Sequence, residues 1–100
     1  MATMWIGWVE FDLLLGDVHS LKGKRSVVRP LLAEVRRRFD VSVAEVDHQD
    51  LHRRAGVGVG LVGADRAHLV SVLDAVEQFV AYRPEIDLLA ARRRLISAED

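Results

Sequence analysis

Two stretches with helical periodicity, each set between runs of strand-like alternation, predict an α+β domain of order βαββαβ. Its expected form is a four-stranded antiparallel sheet with two helices on one face, the ferredoxin-like arrangement. Three observations carry this: period-two alternation from Trp5 to Leu15, apolar stripes at helical spacing near residues 20–39 and 65–82, and a polar connection, HQDLHRR, between the two middle strands.

Each element has its own warrant. Trp5, Val9, Phe11, Leu13 and Leu15 alternate with Trp8, Glu10 and Asp12, which describes a strand with one buried face. Trp5 is expected in the core, and Trp8, Glu10 and Asp12 on the open sheet face. Gly16-Asp17 ends the strand, and Ser20 is placed to cap a helix running to about Phe39. Val28, Leu31, Leu32, Val35 and Phe39 form its apolar stripe. Pro30 lies inside that stripe and predicts a kink or a join between two segments. Val41 to Asp47 and Gly56 to Val62 read as the middle strands. Asp65 caps a second helix with Leu69, Val72, Leu73, Val76 and Val80 on one face, and Arg83-Pro84 stops it. Ile86 to Ile96 reads as the last strand, although LLAARRRL also fits a helix.

The totals bound the function. One hundred residues, half of them apolar, predict a single domain spanning 1–100. A chain of this size buries only about 60–65% of its unfolded surface, which favours a surface function over a deep pocket. Cysteine is absent, which removes thiolate metal sites and fits a reducing compartment. The N-terminus lacks a basic n-region, and no apolar run approaches the ~18 residues of a membrane span. The expected location is the cytoplasm.

Charge is unevenly placed. From Leu21 to Phe39 there are seven basic residues against Glu34 alone, while the whole chain has a net charge of −1. On a helix, Lys22, Arg25, Arg29 and Arg36 fall within about 60° of one another, and Leu31 and Val35 lie about 110–150° away. Such a row is the footprint of phosphate binding, and these four residues are the expected RNA contacts.

Asp47, His48, Gln49 and Asp50 form a polar corner, with His52 four residues beyond His48. On a helix that spacing chelates a metal, and the Asp47-His48-Asp50 corner is the alternative location for enzymatic or metal chemistry. The segment reads instead as a loop whose aspartates accept backbone N–H groups, a shaped corner or recognition surface. No catalytic residue, metal or cofactor is assigned. Gly58 to Gly63 matches GxGxxG, but Val57, Val59 and Leu61 continue strand alternation through it, so the match is not a dinucleotide turn. The RNA recognition motif shares this topology, yet the third strand has no aromatic residue for base stacking. Trp8 is a candidate interface residue for pairing, as a homodimer or with another protein, through the open sheet face.

His19-Ser20-Leu21-Lys22 with Lys24-Arg25, then the block from Val41 to Asp50, then Asp65-Arg66-Ala67-His68, resemble the YlxP-like family of small bacterial proteins over nearly the whole chain. The resemblance implies a ferredoxin-like fold. Family genes often sit beside those of translation initiation factor two and ribosome-binding factor A. This implies an accessory role in ribosome assembly or translation, with ribosomal RNA or a ribosome-associated protein as partner. It transfers no catalytic residue. The sequence departs from the family at Gly23, commonly Glu, at His52, usually large and apolar, and at Gly60, often Ala. The expectation is a non-enzymatic factor that binds through the basic helix face.

Overall fold

The computed structural model describes residues 4–99; residues 1–3 and 100 of the expected 1–100 domain lie outside the described residues. Alternation does build the first strand, β1 (Trp5–Leu15), whose Val9, Phe11, Leu13 and Leu15 are buried. It is followed by α1 (Leu21–Phe39), β2 (Ser42–Asp47), β3 (Arg54–Gly63), α2 (Arg66–Ala81) and β4 (Ile86–Ser97). The strands order β2-β3-β1-β4 and pair antiparallel throughout. This is the ferredoxin-like α+β fold. No helix among the described residues is long and apolar enough to cross a membrane.

Both helices are set by their caps. Ser20 accepts from the Gly23 N–H at 3.0 Å, and Asp65 from the Ala67 N–H at 3.1 Å. Val28, Leu31 and Val35 of α1 and Leu73, Val76 and Val80 of α2 then join the inward residues of β1 in one core. Helix α1 is continuous, so the two-segment alternative at Pro30 does not form. Pro30 and Ser26, whose carbonyl loses its partner, both lie on the exposed flank, where water replaces the missing bond. Asp40 closes α1 in the left-handed region (φ 53°), a conformation that Asp tolerates better than most residues.

The ambiguous LLAARRRL segment is strand. Pairing along the whole of β1 satisfies its backbone and overrides its local helix preference. Two register shifts interrupt the sheet. One lies between Asp12 and Leu13 opposite β4, the other between Glu45 and Asp47 opposite β3. They leave Leu89 and Val46 without register partners, and both are exposed. Trp5, expected in the core, is only half-buried at the sheet's end, with the Arg66 guanidinium 5.7 Å from its ring centre.

Candidate functional site

The polar corner after β2 is held from below by a residue of α1. Lys24 is 2% exposed. Its Nζ donates to the His48 and Leu51 carbonyls, each at 2.7 Å. Glu45 Oε2 is also 2.7 Å away, a close ion pair without the alignment of a hydrogen bond. An ammonium has three protons and no other way to satisfy them in a core. Buried here, it draws two loop carbonyls and one strand carboxylate to a point. Lys24 therefore does not belong to the cationic surface, although it was counted in the basic segment.

The corner itself is a tight turn. Asp47 Oδ1 accepts the His48 N–H at 2.8 Å, and His48 adopts φ 58°. The Leu51 N–H donates back to the His48 carbonyl at 3.1 Å. Gln49 Nε2 reaches the Glu45 carbonyl at 3.4 Å. Asp50 and His52 are exposed, and His48 and His52 do not share a helix face. Among the described residues no three His, Cys, Asp or Glu side chains converge as metal ligands would.

His48 instead turns toward the open sheet face. Its Nε2 is 3.8 Å from Asp12 Oδ1, and its Nδ1 is 3.8 Å from Asp47 Oδ1. Asp12 is bound by Arg54, whose Nη2 donates to both carboxylate oxygens at 2.6 and 2.5 Å. That bond holds the Asp12 carboxyl below its usual value, against a smaller opposing effect of burial. The same partner raises Arg54. Glu10 pairs with Arg92 across the neighbouring strands. Glu10, Asp12, Asp47, His48 and Arg92 line a hollow of about 130 Å³. Arg92 in its wall and Arg54 beside it each already have a carboxylate, so neither is left to hold an anion.

The α1 flank is different. Lys22, Arg25, Arg29 and Arg36 are exposed. Glu34, the helix's acid, is drawn away by Arg83. Among the described residues, Lys22, Arg25 and Arg29 have no carboxylate within ion-pair distance, whereas Arg54, Arg83, Arg92 and Arg93 all do. Arg36 bends over the sheet edge, where its Nη2 donates to the Val43 carbonyl at 3.1 Å. Between α1 and β2 runs a groove of about 280 Å³, with Leu21, Val28 and Leu32 on its apolar side, Arg25 and Arg29 at its mouth, and Glu45 and Gln49 opposite.

Two comparisons bear on these elements. The sequence model of the family described as "Protein of unknown function (DUF503)" matches residues 6–93. The chain belongs to the DUF503 family. It is also 33% identical over 87 residues to a Bacillus subtilis (strain 168) protein named "Uncharacterized protein YlxP", covering 87% of this chain and 95% of that one.

Two of the three blocks that carry the family resemblance meet in space. Lys24, from the block after β1, holds Glu45, His48 and Leu51 of the β2 block and the turn that follows it. Asp65, from the third, caps α2. The GxGxxG match falls wholly within β3. There Gly58 and Gly60 stand opposite Glu10 and Trp8, leaving a shallow trough of about 390 Å³ between Trp8 and Val46. Trp8 is 40% exposed along it.

Proposed function

We propose that this DUF503 protein is a non-enzymatic, cytoplasmic accessory factor of ribosome assembly or translation that binds RNA through the α1 flank. Lys22, Arg25 and Arg29 are the phosphate contacts, with Arg36 in a lesser role. The observation that supports it is a continuous row: among the described residues Lys22, Arg25 and Arg29 lack carboxylates side by side on one helix flank, in a chain with net charge −1, while Arg54, Arg83, Arg92 and Arg93 are each paired. Unneutralised cations in a row release counterions when they meet phosphates, and an acidic remainder steers RNA onto that one surface. The ribosomal setting comes from the family resemblance.

The test is RNA affinity as a function of salt. Three phosphate contacts to single strands give a slope of about −2 in log K against log salt concentration. Replacing Lys22, Arg25 and Arg29 by Ala flattens that slope and weakens binding to all sequences alike. Arg36→Ala has a smaller effect, since its guanidinium is partly engaged by Val43. An unchanged slope in the triple variant eliminates this face.

A second reading is pairing through the open sheet face, favoured by half-exposed Trp8 beside the glycine trough. Light scattering of wild type and Trp8→Ala decides it: a dimer lost on substitution supports pairing, and a monomer in both removes it.

A further inference from the structure

The groove between α1 and β2 carries the reading above one step further, and rests on it. We propose that it accommodates one unpaired nucleotide of a single-stranded RNA, with the phosphate on Arg25 and Arg29 and the base against Leu21, Val28 and Leu32. At about 280 Å³ the groove lies just below the range of small-molecule sites, about 300–1,000 Å³, so it has room for one small unit. Its lining is two-sided, as a nucleotide is. One side is aliphatic; the mouth carries two guanidinium groups four residues apart on α1, which bind phosphate and stack on planar bases. The carboxylate in the groove does not repel a phosphate, because Lys24 beneath it holds the opposite charge at 2.7 Å. The Gln49 amide, exposed at the same wall, offers a donor and an acceptor to a base edge.

The same edge discourages a peptide. An added strand needs the free carbonyls of β2, and those of Val43 and Glu45 are already taken by Arg36 and Gln49. A duplex meets the outer flank through its backbone but keeps its bases stacked inside, so the groove stays empty.

The experiment measures anisotropy of a labelled single-stranded oligoribonucleotide, its duplex of equal length and an acidic peptide, with three proteins: wild type, Arg25→Ala/Arg29→Ala, and Gln49→Trp. Gln49 is exposed on the groove wall, so tryptophan there occupies the groove while both arginine side chains remain present. The expected result is that wild type prefers single strand over duplex by roughly tenfold, the scale of one stacked base. The double alanine variant loses both RNAs, and Gln49→Trp loses only the preference. Equal binding of single strand and duplex by wild type, or a preference that survives Gln49→Trp, overturns the groove proposal while leaving the helix-flank reading intact. RNA binding that ignores the arginines, or a peptide held more tightly than either RNA, overturns both.

Discussion

The Lys24 ammonium stands 2.7 Å from Glu45 Oε2 while donating to the carbonyls of His48 and Leu51. One buried charge thus ties the first turn of α1 to β2 and to the loop beyond it. Removing one partner of a buried pair costs about 3–5 kcal/mol, because the other is left uncompensated. Lys24→Met keeps the stem and deletes the charge, so its expected cost is about 3 kcal/mol, at the low end because the Glu45 side chain keeps 24% of its exposure. Glu45→Gln costs less, since the lysine retains both carbonyls. Urea denaturation orders the two variants, and amide exchange at Leu51 is faster in Lys24→Met. Equal losses in the two would show that the loop carbonyls contribute nothing.

Acid sensitivity follows from Asp12 and Arg54. Arg54 holds the Asp12 carboxyl below its ordinary value of 3.8, so the folded protein binds this proton less readily than the unfolded chain. Its contribution is therefore fully present above that value. It is lost as pH falls below 3.8 toward the depressed folded value. Arg54 stays charged across this range and adds no slope of its own. Denaturation of wild type and Asp12→Asn at several acidic pH values shows the difference between them shrinking through this window. A difference that stays constant from neutral pH into that window removes the linkage.

The fold was legible because each element followed a single period, and the buried face of β1 and the stripe of α1 appear where alternation and the 3.6 repeat put them. The Lys24 lock was legible too, but only by angle. At 100° per residue Lys24 shares the azimuth of Val28, Leu31 and Val35, a cation set in the middle of an apolar stripe. Glu45 likewise follows Val43 on the inward side of β2. Two opposite charges at inward positions of consecutive elements were the signal, and counting charge along the segment obscured it. The pairing of Asp12 with Arg54 was less accessible, since it depends on the β1–β3 register, which no local pattern specifies. The turn of His48 toward Asp12 depends on a left-handed residue and a register shift, both products of tertiary packing. The continuity of α1 through Pro30 depends on which flank faces water.

Helix α1 starts with an incomplete cap. Ser20 accepts from Gly23, but Gly23 has no side chain to return a bond to the Ser20 N–H. Gly23→Glu supplies that bond and removes the entropic cost of glycine, for an expected gain of about 1 kcal/mol. A Cβ at this position meets Ser20 Oγ at 3.3 Å, so the gain requires the serine hydroxyl to give by a few tenths of an ångström. Thermal denaturation gives a higher midpoint for Gly23→Glu than for Gly23→Ala. An unchanged midpoint in both would mean that the serine cannot yield.

Two glycines of β3 make opposite predictions from the same strand. A Cβ on Gly56 lies 2.6 Å from Asp47 Cβ and 3.2 Å from the Asp47 backbone, where the register shift presses β2 against β3. Neither neighbour is the far end of a flexible chain, so Gly56→Ala pushes the strands apart. It costs about 1–3 kcal/mol, the usual scale of overpacking. A Cβ on Gly60 has the Gly7 carbonyl oxygen as its nearest neighbour, at 3.8 Å. There alanine only removes the disorder glycine adds to the unfolded chain, and Gly60→Ala is stabilising by about 0.5–1 kcal/mol. Urea midpoints that move apart, down for Gly56→Ala and up for Gly60→Ala, identify close strand approach as the reason for glycine in GVGVG. A loss at Gly60 equal to that at Gly56 would require Gly60 to face something that the register does not place there.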